Sequence, residues 1–178
     1  MRETRPVIVI GDACVDVTVR LADLMVGHSD VFDSERLLPT ISGGGTSANT
    51  AVALSKLGVD TAFMGTIGDD YGGRFMLREF AERGIDTGLT IVDDSNTIFV
   101  FAFIDPEGER TLWAFPREGC SYANLDLNKI DLDRVRRAGW VHSSGMAYMT
   151  GGTTRENLPK VFRAAYEAGV PTSFDLNT

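Results

Sequence analysis

Residues 42–67 read SGGGTSANTAVALSKLGVDTAFMGTI, and this run decides the fold class. Gly43, Gly44 and Gly45 open a turn. Ser47 to Leu57 follows with Ala51, Leu54 and Leu57 at helical spacing, and Gly58 supplies the stop. Thr61 to Ile67 then reads as a core strand. A turn, a helix, a glycine stop and a strand make one unit of an α/β chain.

The same alternation extends on both sides. Upstream, Pro6 to Ile10 is a β-branched run closed by Gly11, the pattern of a strand buried on both faces. Downstream, Tyr71 to Arg83 is a helix with Phe75, Leu77 and Phe80 among its apolar positions, ended by Gly84. Trp140 to Ser144 reads as a strand, Thr154 to Ala168 as a helix ended by Gly169, and Val170 to Asp175 as a further strand. Helix and strand in alternation predict a parallel sheet with helices on both faces. Two stretches break the rhythm. Val15 to Leu21 alternates apolar and polar residues, and Thr97–Ile104 with Arg110–Phe115 reads as a hairpin across Asp105–Glu109. They predict a small antiparallel lid with strands at about 15–41 and 97–115; an edge extension of the main sheet is the alternative. No linker or repeat divides the chain, so residues 1–178 read as part of one domain.

Composition excludes several classes of function. The 178 residues carry 17 Lys+Arg against 25 Asp+Glu, a net charge of −8 with no basic run, which lacks the footprint of a nucleic-acid binder. Hydrophobic residues at 43% suffice for a core and argue against disorder. No apolar run reaches the ~18 residues of a membrane span, and the start, Met1 to Pro6, lacks a signal-peptide pattern. Cys14 and Cys120 lack CxxC spacing, so neither a zinc site nor a disulfide framework is expected. The expectation is a soluble, cytoplasmic protein.

In open α/β sheets ligands bind beyond the carboxyl ends of the strands, so the loops there are the places to search. The first carries Asp12 and Asp16, carboxylates able to accept two hydrogen bonds from vicinal hydroxyls, or else solvated turn acids. The second, Ser42 to Asn49, leads glycines into a helix N-terminus whose N–H groups suit an oxygen-rich ligand. It is neither a Walker A loop nor GxGxxG, which disfavours a Rossmann dehydrogenase. Ser42 or Ser47 alternatively serves only as a helix cap. In the third, Gly65 to Gly73, Asp69 and Asp70 read as helix-capping acids. Packing accounts for Cys14 and His142, and Tyr148 and Met149 receive no role.

Taken in order, these segments resemble the N-terminal half of the ribokinase-like (PfkB-type) carbohydrate kinases. Gly11 and Asp16 match an opening G-x-x-x-x-D loop. Gly44, Gly45, Asn49, Leu57-Gly58, Gly68-Asp69-Asp70 and Gly72 match the family's first signature. Asp105–Glu109 matches the turn of its β lid, and Phe174 to Asn177 the start of a D-x-N-x-R segment, with Thr178 standing one residue before the expected Arg. Ser47 departs from the small Gly or Ala usual at its position. The resemblance implies a three-layer α/β/α sandwich with a mostly parallel sheet and a small antiparallel lid, here truncated at Thr178.

It also implies phosphoryl transfer from ATP, with Mg²⁺, to a hydroxymethyl group of a sugar, related polyol or nucleoside. By the same resemblance Asp16, Gly44, Gly45 and Asn49 bind the acceptor's hydroxyls. Of Phe99, Phe101, Phe103 and Phe115, Phe101 is assigned to the sugar face, most of the others to packing. Arg117 is placed to meet an acidic sugar, a plain surface arginine being the alternative. Asp175 and Asn177 match a segment lining the family's cleft. The family's catalytic aspartate belongs to a G-A-G-D segment, which does not occur in these residues and is expected beyond Thr178. The expectation is therefore the sugar-binding half of a kinase, inactive by itself and dimeric through its lid, with no nucleic-acid or membrane partner. The alternative is a non-catalytic sugar-binding or lid-dimerising module.

Overall fold

Val7–Ile10 is apolar on both of its faces, and the layers of the molecule form around it. A computed structural model describes residues 5–21, 38–116 and 119–177. In chain order its elements are β1 (Val7–Ile10), β2 (Cys14–Arg20), β3 (Thr40–Gly44), α1 (Thr46–Lys56), β4 (Thr61–Gly68), α2 (Tyr71–Glu82) and β5 (Asp86–Asp93). There follow β6 (Ile98–Ile104), β7 (Arg110–Phe115), α3 (Leu132–Arg136), β8 (Trp140–Ser144), α4 (Gly145–Met149), α5 (Gly152–Glu167) and β9 (Thr172–Asp175).

Five strands form a parallel sheet in the order β5-β4-β1-β8-β9, with β1 in the middle. Strand alternation sends Ile8 and Ile10 to one side and Val9 to the other. On the first side they meet Met64, Leu89, Val141 and, from α3 and α5, Val135, Leu158 and Val161. On the second, Val9 meets Phe63 and Ile67 of β4 with Ala51 of α1 and Met76 and Phe80 of α2. All eight residues of β4 are buried, the Thr61 and Thr66 hydroxyls donating to the Val59 and Asn124 carbonyls. The mostly parallel three-layer sandwich is the expected one, and no helix among the described residues is long and apolar enough to cross a membrane.

The strand order places the binding crevice. From β1 the chain moves outward to β4 and β5, then returns to the opposite side of β1 as β8 and β9. The loops leaving β1 and β8 therefore diverge to opposite faces and open a gap above their carboxyl ends.

A second sheet of four strands, β3-β2-β6-β7, is separate from the first, which favours a lid over an edge extension. It is mixed rather than antiparallel: β2 pairs antiparallel with β3, and β6 with β7, but β2 and β6 run parallel. The correction follows from connectivity, because the chain crosses the main sheet through α1, β4, α2 and β5 before it returns as β6. The hairpin turn is as expected, with Asp105 Oδ1 accepting from the Glu109 N–H at 2.8 Å. Residues 22–37, within the first predicted lid stretch, lie outside the described residues.

Sequence reading leaves Asp86–Asp93 unassigned, yet it is the edge strand β5, burying Leu89 and Ile91 while Val92 faces outward. Short α4, directly after β8, is likewise unforeseen, because five residues are too few to show a period.

The aromatic contact between α2 and β4 tests this core. The Phe63 and Phe80 rings lie 4.7 Å apart and both side chains are fully buried. Phe80→Ala is expected to cost about 3–5 kcal/mol, measured as a lower urea midpoint with unchanged denaturant slope.

Candidate functional site

The site is built on the first turn beyond β1. Gly11 leads into Asp12, which is only 4% exposed. Its carboxylate lies against the start of α1, where Oδ2 accepts from the Thr46 N–H at 2.6 Å and Oδ1 from the Ser47 N–H at 3.1 Å. Ser47 Oγ lies 2.9 Å from the same Oδ1, and the Asp12 carbonyl accepts from the Ala48 N–H at 3.1 Å. The residue preceding α1 is Gly45, which offers no capping side chain, so Asp12 caps the helix from a distant turn. The partial positive charge of the helix N-terminus compensates the buried carboxylate.

This arrangement corrects one expectation. The N–H groups of Thr46, Ser47 and Ala48 are not open to a ligand, because Asp12 already holds them. Gly45 permits the close docking that makes this possible. Its φ is 102°, and a Cβ there would stand 2.6 Å from the Asp12 carbonyl oxygen.

Polar groups from three elements meet at the end of β1. The Ile10 carbonyl accepts from Ser143 Oγ at 2.7 Å and lies 3.1 Å from Ser47 Oγ. Ser47 Oγ in turn lies 3.4 Å from Ser144 Oγ, and all three serines are buried. Sequence reading gave Ser143 and Ser144 no part in this, since only the pairing of β1 with β8 brings them there.

Above this floor opens a cleft of about 760 Å³. Asp12, Gly45, Thr46 and Asn49 line one side, with Cys14 beside them; Ile98, Val100, Leu112 and Ala114 of the small sheet line another. Tyr122, Met146, Met149 and Thr150 complete it. Burial lifts the Tyr122 phenol to about 12, so it stays protonated. Met149, which sequence reading left without a role, enters through α4; the usable signal was its place just after a strand beside the switch point.

Asp16 on β2 does not itself line this cleft but lies beside Cys14 and Val100, which do. In the ladder it lies opposite Ser42 of β3 and Val100 of β6, on the sheet face that also carries Cys14. Its carboxylate rests directly over Gly44, where a Cβ would fall 2.3 Å from Oδ2. A side chain at Gly44 would therefore displace the Asp16 carboxylate from this position. Partial burial raises the Asp16 carboxyl above its usual range, offset in part by a hydrogen bond from the Cys14 thiol. The fold thus places Gly45 and Asn49 in the lining of the cleft, and Asp16 and Gly44 against each other beside it.

Phe101 does not join them. Even-numbered residues of β6 and β7 face the cleft, so Phe101 points to the opposite face and stacks edge-to-face on Phe115 at 6.4 Å. Val100 and Ala114 occupy the positions expected for aromatic cover. Arg117 and Thr178 lie outside the described residues.

Of the other acids singled out in the sequence, only Asp70 caps a helix. Asp70 caps α2 through the Gly73 N–H at 2.7 Å and holds the start of β6 through the Thr97 N–H at 2.8 Å. Asp69 pairs at the surface with Arg74. Asp175 is exposed and accepts from the Asn177 N–H at 3.0 Å. His142 is half-buried against Ser173, with its pKa lowered by burial. No group of three His, Cys, Asp or Glu side chains is placed to hold a metal ion among the described residues.

Removing the Asp12 carboxylate leaves two helix N–H groups, those of Thr46 and Ser47, short of partners. Asp12→Ala is expected to lower stability by about 1–3 kcal/mol, and Asp12→Asn by less, in urea unfolding followed by circular dichroism.

Comparison with known proteins agrees with this geometry. The sequence matches the model of the pfkB family carbohydrate kinases over residues 5–178. It is 33% identical over 162 residues to an ATP-dependent ribose-1-phosphate kinase of Halopiger xanaduensis, covering 90% of this chain and 50% of that protein. To an aminoimidazole riboside kinase of Salmonella typhimurium it is 30% identical over 178 residues, covering 99% and 50%. Among solved structures, a fructokinase from Xylella fastidiosa superposes with a TM-score of 0.81 at 25% identity, covering 97% of this chain and 50% of that one. The same enzyme has been solved with bound ATP. The chain spans about half the length of the curated relatives it matches. With the match running over residues 5–178 and so through both sheets, the chain belongs to the pfkB family of carbohydrate kinases.

Proposed function

We propose that this chain forms the acceptor side of an ATP-dependent kinase that phosphorylates a hydroxymethyl group of a sugar or related polyol. The observation that carries the reading is the half-buried Asp16 carboxylate over Gly44, beside Cys14 and Val100, which line the cleft above the switch point. A carboxylate is acceptor-only when ionised and takes two hydroxyl donors at once, which fits a vicinal diol. Asn49 adds an amide that both donates and accepts, and Gly45 lets backbone approach the ligand. Val100, Leu112 and Ala114 cover the acceptor from the small sheet and exclude water, as phosphoryl transfer requires if hydrolysis is to be avoided.

ATP is the donor on this reading, supported by an ATP complex of a protein with the same fold. Mg²⁺ would supply counter-charge to the phosphates. The chain's own residues act on the acceptor: they bind it, orient it and shield it. No Gly-Ala-Gly-Asp segment occurs among the 178 residues, and acceptor binding is the part of the reaction assigned to them here. Calorimetry of the 178-residue chain with D-fructose and D-ribose is the test, beside an assay of ADP release with ATP and Mg²⁺. Binding without ADP release is expected, and Asp16→Ala should weaken it about ten- to hundred-fold. Unchanged affinity in Asp16→Ala overturns the assignment.

The far face of the small sheet has a second role on this reading. Ile41, Trp113 and Phe115 lie on it and are 55%, 56% and 55% exposed, alongside the half-buried Phe101 and Phe103. A second copy of the chain covers this apolar face, giving a homodimer through the lid. Sedimentation equilibrium is expected to show a dimer that Trp113→Glu dissociates; a wild-type monomer at high concentration refutes it.

A further inference from the structure

Cys14 stands two residues before Asp16 on β2, so both side chains leave the same face of the small sheet. The Cys14 thiol donates to Asp16 Oδ1 at 3.4 Å. Cys14 is buried and at the same time lines the cleft. Packing against Ile98 and Cys120 fixes its position from behind. The carboxylate is thus bounded on two sides, by the thiol at Oδ1 and by Gly44 beneath the whole group.

We propose that Cys14 is a positioning residue, whose S–H holds the Asp16 carboxylate ionised and turned so that Oδ2 meets the hydroxyls of the acceptor. The inference rests on the reading of Asp16 as the acceptor-binding acid. A thiol serves this purpose only while protonated. Burial, then the neighbouring Asp16 charge and the hydrogen bond itself, push the Cys14 pKa far upward, so the proton stays on sulfur throughout the ordinary pH range. The same S–H favours the charged form of Asp16, and in that way opposes the effect of burial on the carboxyl.

Few other titratable groups approach this pair. Asp12 lies in the turn before β2, committed to α1, while Cys120 and Tyr122 lie beside Cys14 from the segment after β7. Across the ladder Asp16 faces Ser42, Gly44 and Val100, none of which titrates. Helix α2 packs on the opposite face of β2, that of Val15, where Glu79 pairs with Arg83 at 2.9 Å.

Acceptor binding needs ionised Asp16, so affinity falls as pH drops through its pKa. Removing the S–H donor raises that pKa, and the acid limb moves to higher pH. The test compares wild type with Cys14→Ala and Cys14→Ser in two measurements. NMR titration of the Asp16 carboxyl carbon, without ligand, is expected to show a higher pKa in Cys14→Ala and recovery in Cys14→Ser, whose hydroxyl also donates. Calorimetry with D-fructose and D-ribose is expected to show about three- to ten-fold weaker binding in Cys14→Ala near neutral pH, with the acid limb shifted upward.

An Asp16 carboxyl that titrates identically in wild type and Cys14→Ala overturns the proposal, whatever the sugars do. If the titration shifts as expected but Asp16→Ala binds the sugars normally, the acceptor reading fails and the orienting role falls with it. A Cys14→Ser protein that behaves like Cys14→Ala also counts against it, because packing alone then explains the thiol.

Discussion

The contact between Asp12 and the first turn of α1 joins what would otherwise be separate parts. It ties the end of the central strand to a helix that begins after a glycine turn more than thirty residues later. A carboxylate almost wholly removed from water is costly unless it receives strong hydrogen bonds, and a helix start provides amides with no partner of their own. Each group satisfies the other. Gly45 is committed to its backbone conformation by the same contact, since any side chain there would strike the Asp12 carbonyl. Once α1 is seated, β3 lies in place to pair with β2, and Gly44 comes to rest under the Asp16 carboxylate.

Two carboxylates four residues apart thereby take different roles. Asp12 is spent on the fold, its oxygens held by Thr46 and Ser47. Asp16, on β2 beside the cleft-lining Cys14, keeps one oxygen clear of protein donors among the described contacts and is less deeply buried. What separates them is the path of the backbone after β1. The first residues of the turn point down into the switch point, whereas β2 climbs away from it toward the cleft. Opposite sides of the small sheet show a similar division: one faces the cleft with Val100, Leu112 and Ala114, and the other carries the aromatic rings.

The α/β architecture was legible because buried parallel strands and amphipathic helices leave distinct periods in a sequence. Pro6–Ile10, Thr61–Ile67 and the helix of residues 71–83 were placed correctly, within the usual shifts at their ends. The edge strand β5 escaped because an edge exposes one side and Gly88 interrupts its pattern. Asp70 as a cap was also legible, since an aspartate before a helix whose third residue offers an N–H is a local arrangement. The family resemblance brought Asp16, Gly44, Gly45 and Asn49 together as candidates, and the fold places Gly45 and Asn49 in the cleft lining with Asp16 and Gly44 beside it.

Local chemistry, then, lay within reach of the sequence: which segments are helix or strand, where glycine ends them, and which acids follow strands. Contacts between distant segments did not. That Asp12 occupies the amides of α1, that Phe101 turns away from the cleft, and that Cys14 reaches Asp16 all depend on register and facing. A strand shifted by one residue sends every side chain to the other face without altering its composition or period. Only the tertiary pairing of β2 with β6, and of β1 with β8, fixes that choice.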